Sequence, residues 1–322
     1  MPFTRRTLLG VAVAAAMACV AATPAQAAKP LTIGFSQVGA ESEWRTANTA
    51  SIKAAARQAN INLKFADAQQ QQQNQVKAIR SFIAQRVDVI AFSPVVETGW
   101  ETVLREAKNA KIPVILTDRA VKVSDPSLYV SFIGSDFVEE GRRAGRWLLD
   151  YAKKNGDKPL NIVELQGTVG SAPATDRKNG FAEVIAGNPK LKVLRSQTGD
   201  FTRAKGKEVM EAFLKSEGKN INVLYAHNDD MAIGAIQAIE EAGLKPGKDI
   251  VIVSIDGVRG AFEAMMKGKL NVTIECNPLL GPTLMQTAQA VAAGQPVAKR
   301  ITVQEGVFPA EVAAKEFPNR KY

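Results

Sequence analysis

Histidine is almost missing from this chain. His227 is the single example in 322 residues, and cysteine occurs twice, at Cys19 and Cys276. One imidazole excludes a metal site built on paired histidines. One cysteine beyond the leader described below excludes an internal disulfide and gives a zinc site little support. No G-x-S-x-G elbow is present, so a Ser-His-Asp hydrolase has no place for its nucleophile. Gly167-Thr-Val-Gly170 follows an apolar run but lacks the P-loop lysine and the full dinucleotide fingerprint, and reads as a permissive turn. Neither a metal nor a cofactor is expected. The formal charge is +9, yet Lys and Arg are scattered rather than run together, which argues against a nucleic-acid partner. Beyond residue 27 no stretch is long and apolar enough to cross a bilayer.

What is present begins with a leader. Arg5 and Arg6 supply a positive end, Leu8 to Ala22 an apolar stretch, and Ala25-Gln26-Ala27 the small residues of a cleavage site, so residues 1–27 read as a signal peptide. The arginine pair also suits twin-arginine export; the general route is the reading preferred. Ala16-Met17-Ala18 before Cys19 is a poor match to a lipidation signal. The chain is then expected to be exported, starting near Ala28, with a net charge of +7 once Arg5 and Arg6 are gone.

The remainder alternates between strand and helix. Strands are expected at 31–35, 63–66, 87–92 and 113–117, with helices at 42–58, 73–84 and 97–109. The second half repeats this, with strands at 160–165, 191–194, 223–226 and 250–255 and helices at 176–186, 203–215 and 228–242. The Gln69–Gln73 tract reads as a loop entering a helix. Such alternation means parallel sheets covered by helices. The halves overlay: Leu31-Thr-Ile-Gly-Phe35 resembles Leu160-Asn-Ile-Val-Glu164, and Val114-Ile-Leu-Thr-Asp118 resembles Ile252-Val-Ser-Ile-Asp256. The expected fold is α/β, with two similar Rossmann-like lobes. Strands at 131–134, 272–275 and 301–303 mark three crossings that form a hinge. The lobes would comprise 28–134 with 277–302, and 135–276 with 303–322.

In an open α/β sheet, ligands bind beyond the carboxyl ends of the strands. The residues waiting there are Gln37, Glu41, Trp44 and Arg45 after the first strand, then Asp118-Arg119, Arg177, Asn228, Asp256 and Glu275. Carboxylates accept from hydroxyls, arginine and asparagine donate, and an aromatic face packs on the C–H side of a sugar ring. Other uses compete. Trp44 near a helix start is also a core position, and Arg177 a solvated first-turn position. Asp256 before Gly257 also fits a plain turn, and Glu275 a hinge salt bridge. Of Asn228, Asp229 and Asp230, at least one must cap the following helix. Asn228, nearest the strand, is assigned to the site and one Asp to the cap. Trp100 and Trp147 lie in helical patterns and read as packing.

These residues, with Ile33-Gly-Phe-Ser-Gln-Val-Gly39, Glu164-Leu-Gln-Gly-Thr-Val-Gly170, Gly199-Asp-Phe-Thr-Arg203 and Tyr225-Ala-His-Asn-Asp-Asp-Met231, resemble the periplasmic sugar-binding proteins of ABC transporters. The resemblance is to the ribose/galactose-type group and, within it, to the galactofuranose binders. It implies a periplasmic, non-enzymatic, monomeric receptor that closes on a monosaccharide and delivers it to a membrane permease. It further implies sugar contacts by Asp118, Arg119, Arg177, Asn228 and Asp256, a sugar-facing Glu41-Trp44-Arg45 segment, and a polar contact by Glu275. Glu43 departs from the pattern, adding charge beside the site.

Two rival readings differ in class. A regulator of the same lobe architecture needs an N-terminal DNA-binding helix-turn-helix, and a leader stands there instead. A secreted carbohydrate enzyme needs a carboxylate pair from Asp118, Asp256 or Glu275. Arg119 and Arg177 would hold such carboxylates ionised, which suits binding better than proton donation.

Overall fold

The computed structural model describes Met1 and residues 30–322; the leader, with Arg5, Arg6, Cys19 and the cleavage site, lies outside them. The first lobe runs β1 (Thr32–Gln37), α1 (Glu43–Gln58), β2 (Asn62–Asp67), α2 (Gln72–Ala84), β3 (Val89–Phe92), α3 (Glu101–Asn109), β4 (Val114–Thr117) and β5 (Ser131–Gly134). The chain then crosses to α4 (Phe137–Lys154), β6 (Leu160–Gln166), α5 (Ala172–Ile185), β7 (Leu191–Thr198), α6 (Arg203–Glu217), β8 (Val223–Ala226), α7 (Asp229–Glu241), β9 (Val251–Asp256), α8 (Arg259–Met266) and β10 (Val272–Glu275). It returns through α9 (Gly281–Ala292) and β11 (Arg300–Thr302), and crosses again to β12 (Val307–Pro309) and α10 (Ala313–Glu316).

The two sheets have matching orders, β11-β5-β4-β3-β1-β2 and β12-β10-β9-β8-β6-β7. Every pairing is parallel except β10 with β12. Parallel strands covered on both faces must be apolar on both. Accordingly, Val89 and Ala91 of β3 pack with α1 and α9, while Ile90 and Phe92 pack with α2 and α3. Trp100 is fully buried against Phe92, with ring centroids 4.9 Å apart, and Trp147 stacks on Tyr151.

Several boundaries differ from the sequence pattern. Residues 97–100 do not join α3, because Gly99 is left-handed (φ 85°) and Glu97 N–H donates to Gly170 O in the other lobe, 2.9 Å. Helix α5 begins earlier, at Ala172, with Pro173 in its first turn, where proline's missing N–H costs nothing. Gln69 and Gln70 are left-handed and lead into α2. Helices α4, α8 and α9 were not picked out by the alternation. In α4 the interior glycines weaken the helical signal, yet they permit close packing. A Cβ on Gly141 would lie 2.3 Å from Arg177 O of α5.

Candidate functional site

Between the lobes, at the carboxyl ends of both sheets, lies a cleft whose open space, solvent at its mouth included, is about 290 Å³. Its small size suits a small ligand. The first lobe lines it with Glu41, Ser42, Trp44, Arg45, Asp118 and Arg119. The second lobe contributes Pro173, Arg177, Phe201, Asn228 and Asp256, and Cys276 comes from the second crossing.

The first-lobe side chains are placed by helix capping. Ser42 caps α1, its Oγ accepting from Arg45 N–H at 3.1 Å, which sets Trp44 and Arg45 in the first turn facing inward. Arg45 lies 2.8 Å from Asp118 Oδ2 and 3.0 Å from Glu41 Oε1, and it donates to Gln37 Oε1 at 3.2 Å. Despite the cost of burial, Asp118 and Glu41 raise Arg45 above its ordinary value. Arg119 donates to Val95 O, 3.0 Å; burial and the neighbouring Arg45 bring it down to about 10. Trp44 Nε1 donates to Cys276 O at 2.6 Å, tying the indole to the hinge.

In the second lobe Arg177 is the centre. Its Nε lies 2.7 Å from Glu140 Oε2, its Nη1 donates to His227 O at 2.5 Å, and its Nη2 lies 3.6 Å from Asp256 Oδ1. Asp256 is left with an unusual backbone (φ 133°), and burial pushes its carboxyl well up against the pull of Arg177. Phe201, itself left-handed (φ 61°), sets its ring 5.3 Å from the Arg119 guanidinium and 5.9 Å from that of Arg177. His227 is buried behind this wall. Its Nε2 lies 3.0 Å from Glu164 Oε1, and burial lowers it, so it is neutral and structural.

Three guanidinium groups face three carboxylates around the cavity, so the lining is balanced in charge. Glu41 Oε2 and Arg119 Nε are buried with no hydrogen-bond partner among the described residues. Buried polar atoms are nearly always paired, so these two are exceptions among the residues that line the cavity. The arrangement suits a neutral, hydroxyl-bearing molecule with at least one apolar face.

Residues 33–296 match the periplasmic binding protein domain family. The galactofuranose-binding protein YtfQ of Escherichia coli is 51% identical over 98% of this chain and 98% of its own. A Mycobacterium smegmatis protein solved in complex with β-D-fucofuranose is 59% identical, with a TM-score of 0.88 over 91% of this chain and 95% of that one. The periplasmic component of the arabinose ABC transporter from Shewanella sp. ANA-3, bound to α- and β-L-arabinofuranose, is 55% identical. Its TM-score is 0.87 over 90% of this chain and 95% of that one. The chain belongs to the periplasmic binding protein family. Its two α/β lobes are those of the type I fold, and its relatives are solute-binding proteins rather than enzymes.

Of the ten residues expected at the site, the structure brings eight to the cavity. Gln37 is buried beneath it, holding Arg45 on one side and Asn48 on the other, 2.9 Å away; its place is support, not lining. Glu275 lies outside. Its carboxylate pairs with Arg320 and Tyr322, each at 2.9 Å, and accepts from Gly306 N–H, which is the hinge salt bridge weighed against the sugar contact. Asn228 both lines the cavity and caps α7, accepting from Met231 N–H at 3.0 Å. The cap is therefore not an Asp. Asp229 instead accepts from Ser254, Thr273 and two backbone N–H groups. Glu43 stays out of the cavity. Its N–H donates to Asp230 Oδ2 of the other lobe at 2.7 Å, and its carboxylate lies 3.7 Å from Arg203. The residues missed were Phe201, Pro173, Ser42 and Cys276. Phe201 was legible in principle: it sits between the end of β7 and the Thr202 cap of α6, the same strand-end position that flagged the others.

Proposed function

We propose that this chain is an exported, periplasmic receptor that closes on one galactofuranose molecule and delivers it to the membrane permease of an ABC transporter, working as a monomer divided at the lobe boundaries set out above. The observation that carries the reading is the cavity itself: a ring of three guanidinium and three carboxyl groups, balanced in formal charge and flanked by Trp44 and Phe201. Carboxylates and guanidinium groups bond hydroxyls, and the rings pack the apolar side of the sugar. A uronate or an amino sugar would upset the charge balance, which favours a neutral aldose.

The ring form is supported by the relatives. The ligands of three of them, galactofuranose, fucofuranose and arabinofuranose, are all five-membered rings. They differ in the exocyclic carbon, so a pentofuranose is the second reading. Contacts from both lobes exist together only when the lobes meet, so binding and closure are one equilibrium.

Calorimetric titration of residues 28–322, stripped of ligand by unfolding and refolding, tests this. Galactofuranose is expected to bind one-to-one at micromolar strength or tighter, about −8 kcal/mol, and Arg119→Ala to abolish it. Preference for arabinofuranose would keep the mechanism and change the sugar. No heat from any furanose or pyranose aldose would overturn the reading.

A further inference from the structure

A second cluster of titratable groups lies where the three crossings run together. Glu140 is on α4, Cys276 opens the second crossing and Glu305 lies in the third; one ligating atom of each falls within 4.8 Å of the others. Ser135, from the first crossing, hydrogen-bonds to Glu305 Oε1, and Asn277 N–H donates to the same oxygen at 3.0 Å. Glu140 commits Oε2 to Arg177, while its Oε1 is buried with no hydrogen bond of ordinary geometry among the described residues, Cys276 and Glu305 being its neighbours. A buried carboxylate, Glu140, faces a half-buried one, Glu305, with the Cys276 thiol beside them. Such a pair cannot stay doubly ionised cheaply, and one member keeps its proton.

We propose that Glu140 and Glu305 hold one proton between them when the lobes are together, and that the chain takes up this proton as it closes on sugar. This rests on the sugar-binding reading above and makes the pair positioning residues for Arg177. Glu305 carries the proton, Glu140 Oε1 accepts from it, and Glu140 Oε2 remains on Arg177. A proton fits this donor set better than a divalent cation, because the Arg177 guanidinium already occupies Glu140. Opening twists the crossings, admits water to the pair and returns both acids only part of the way toward ordinary behaviour.

The surroundings agree. Arg177 from α5 and Arg300 from β11 are the cations nearest the pair, and Asp256 at the end of β9 adds negative charge. Arg143 of α4 is spent on the Glu305 carbonyl at 2.8 Å. Cys276 and Tyr225 of β8 are pushed up by burial and stay neutral. Burial, then Glu140, pushes Glu305 up to about 9; burial raises Glu140 too, against Arg177. An acid raised in the closed form favours closure on the acid side. The advantage fades as pH climbs from the ordinary carboxylate range to about 9 and is level beyond it.

Calorimetry of galactofuranose binding at about pH 7 to 8, in buffers of different ionisation enthalpy, counts the protons taken up per sugar bound. The wild-type chain is expected to take up close to one, with affinity weakening by up to about tenfold per pH unit across the window. Glu305→Gln keeps the shape of the neutral acid and is expected to bind sugar with no uptake and a flat profile. Ser135→Ala removes a donor that holds Glu305 down and should move the midpoint to higher pH. Binding without proton uptake in the wild type, or uptake unchanged in Glu305→Gln, overturns the inference and leaves the sugar reading standing. Should Glu305→Gln fail to fold, the wild-type count and the Ser135→Ala shift decide. If no sugar binds, the sugar reading falls alone. Thermal melts of the sugar-free chain then decide the proton: the gap in Tm between Glu305→Gln and wild type widens with rising pH if the pair is as inferred, and stays constant if not.

Discussion

Arg177 is held by a carboxylate, a backbone carbonyl and a more distant second carboxylate, and each partner uses a different edge of the guanidinium. That geometry needs a planar fork, which lysine lacks. Arg177→Lys is therefore expected to weaken sugar binding on the order of 100-fold, about 3 kcal/mol, because lysine keeps the charge but leaves part of this buried set unpaired. Glu275 is the contrast. It sits at a strand end like Asp256, but its oxygens are taken by Arg320, Tyr322 and Gly306. Glu275→Gln should lower Tm while leaving affinity within about threefold, since no ligand contact is lost. Titration beside a thermal melt separates the two cases. A large loss of affinity in Glu275→Gln would return it to the site. The strand-end rule found both residues but did not distinguish them. Which way a terminal side chain turns depends on partners 31 to 47 residues away in sequence.

At the scale of elements, the helices that carry site residues are set by close backbone approach. A Cβ on Gly234 of α7 would fall 2.0 Å from Arg203 O of α6, and one on Gly180 of α5 would fall 2.0 Å from Val138 O of α4. The second contact brings Glu140 beside Arg177; the first sets Arg203 beside Asp230, 2.8 Å away. Gly234→Ala improves helix propensity yet forces backbone against backbone. The net expectation is destabilisation of about 1–3 kcal/mol, seen as a lower urea midpoint with an unchanged slope. A midpoint that holds or rises would mean that the α6–α7 contact relaxes freely. From sequence, these glycines read as weak points in helices. Their role as contact points appears only when two helices from separate stretches of chain are side by side.

Across the whole molecule, closure is secured at points away from the cavity. Asp230 accepts from Glu43 N–H of the other lobe at 2.7 Å and from Arg203 at 3.1 and 2.8 Å. Burial and Asp230 push the Glu43 carboxyl up. Glu97 and Gly170 bridge the lobes by a backbone hydrogen bond of 2.9 Å. Asp230→Ala breaks the first of these clasps. It should weaken sugar binding by about 3- to 30-fold, the worth of one or two partly exposed hydrogen bonds. Small-angle scattering of the sugar-free variant should show a larger radius than wild type. An unchanged radius with unchanged affinity would make the clasp incidental.

The alternation of strands and helices, the repeat of one half in the other, and the polar residues at strand ends were all set by local pattern. Burial on both faces makes parallel strands uniformly apolar, and the loops beyond them are free to carry charge. Those features determined two α/β lobes and most of the cavity lining from the sequence alone. Tertiary structure decided what pattern cannot encode. It turned Glu275 toward Arg320, set Gln37 beneath Arg45 rather than in the cavity, placed Glu43 against Arg203 and folded Phe201 inward over the two arginines. It also gathered Ser135, Cys276 and Glu305 from the three crossings, with Glu140 of α4, into one cluster. Each of these depends on contacts between residues far apart in the chain, and their energies exist only once the lobes have formed and met.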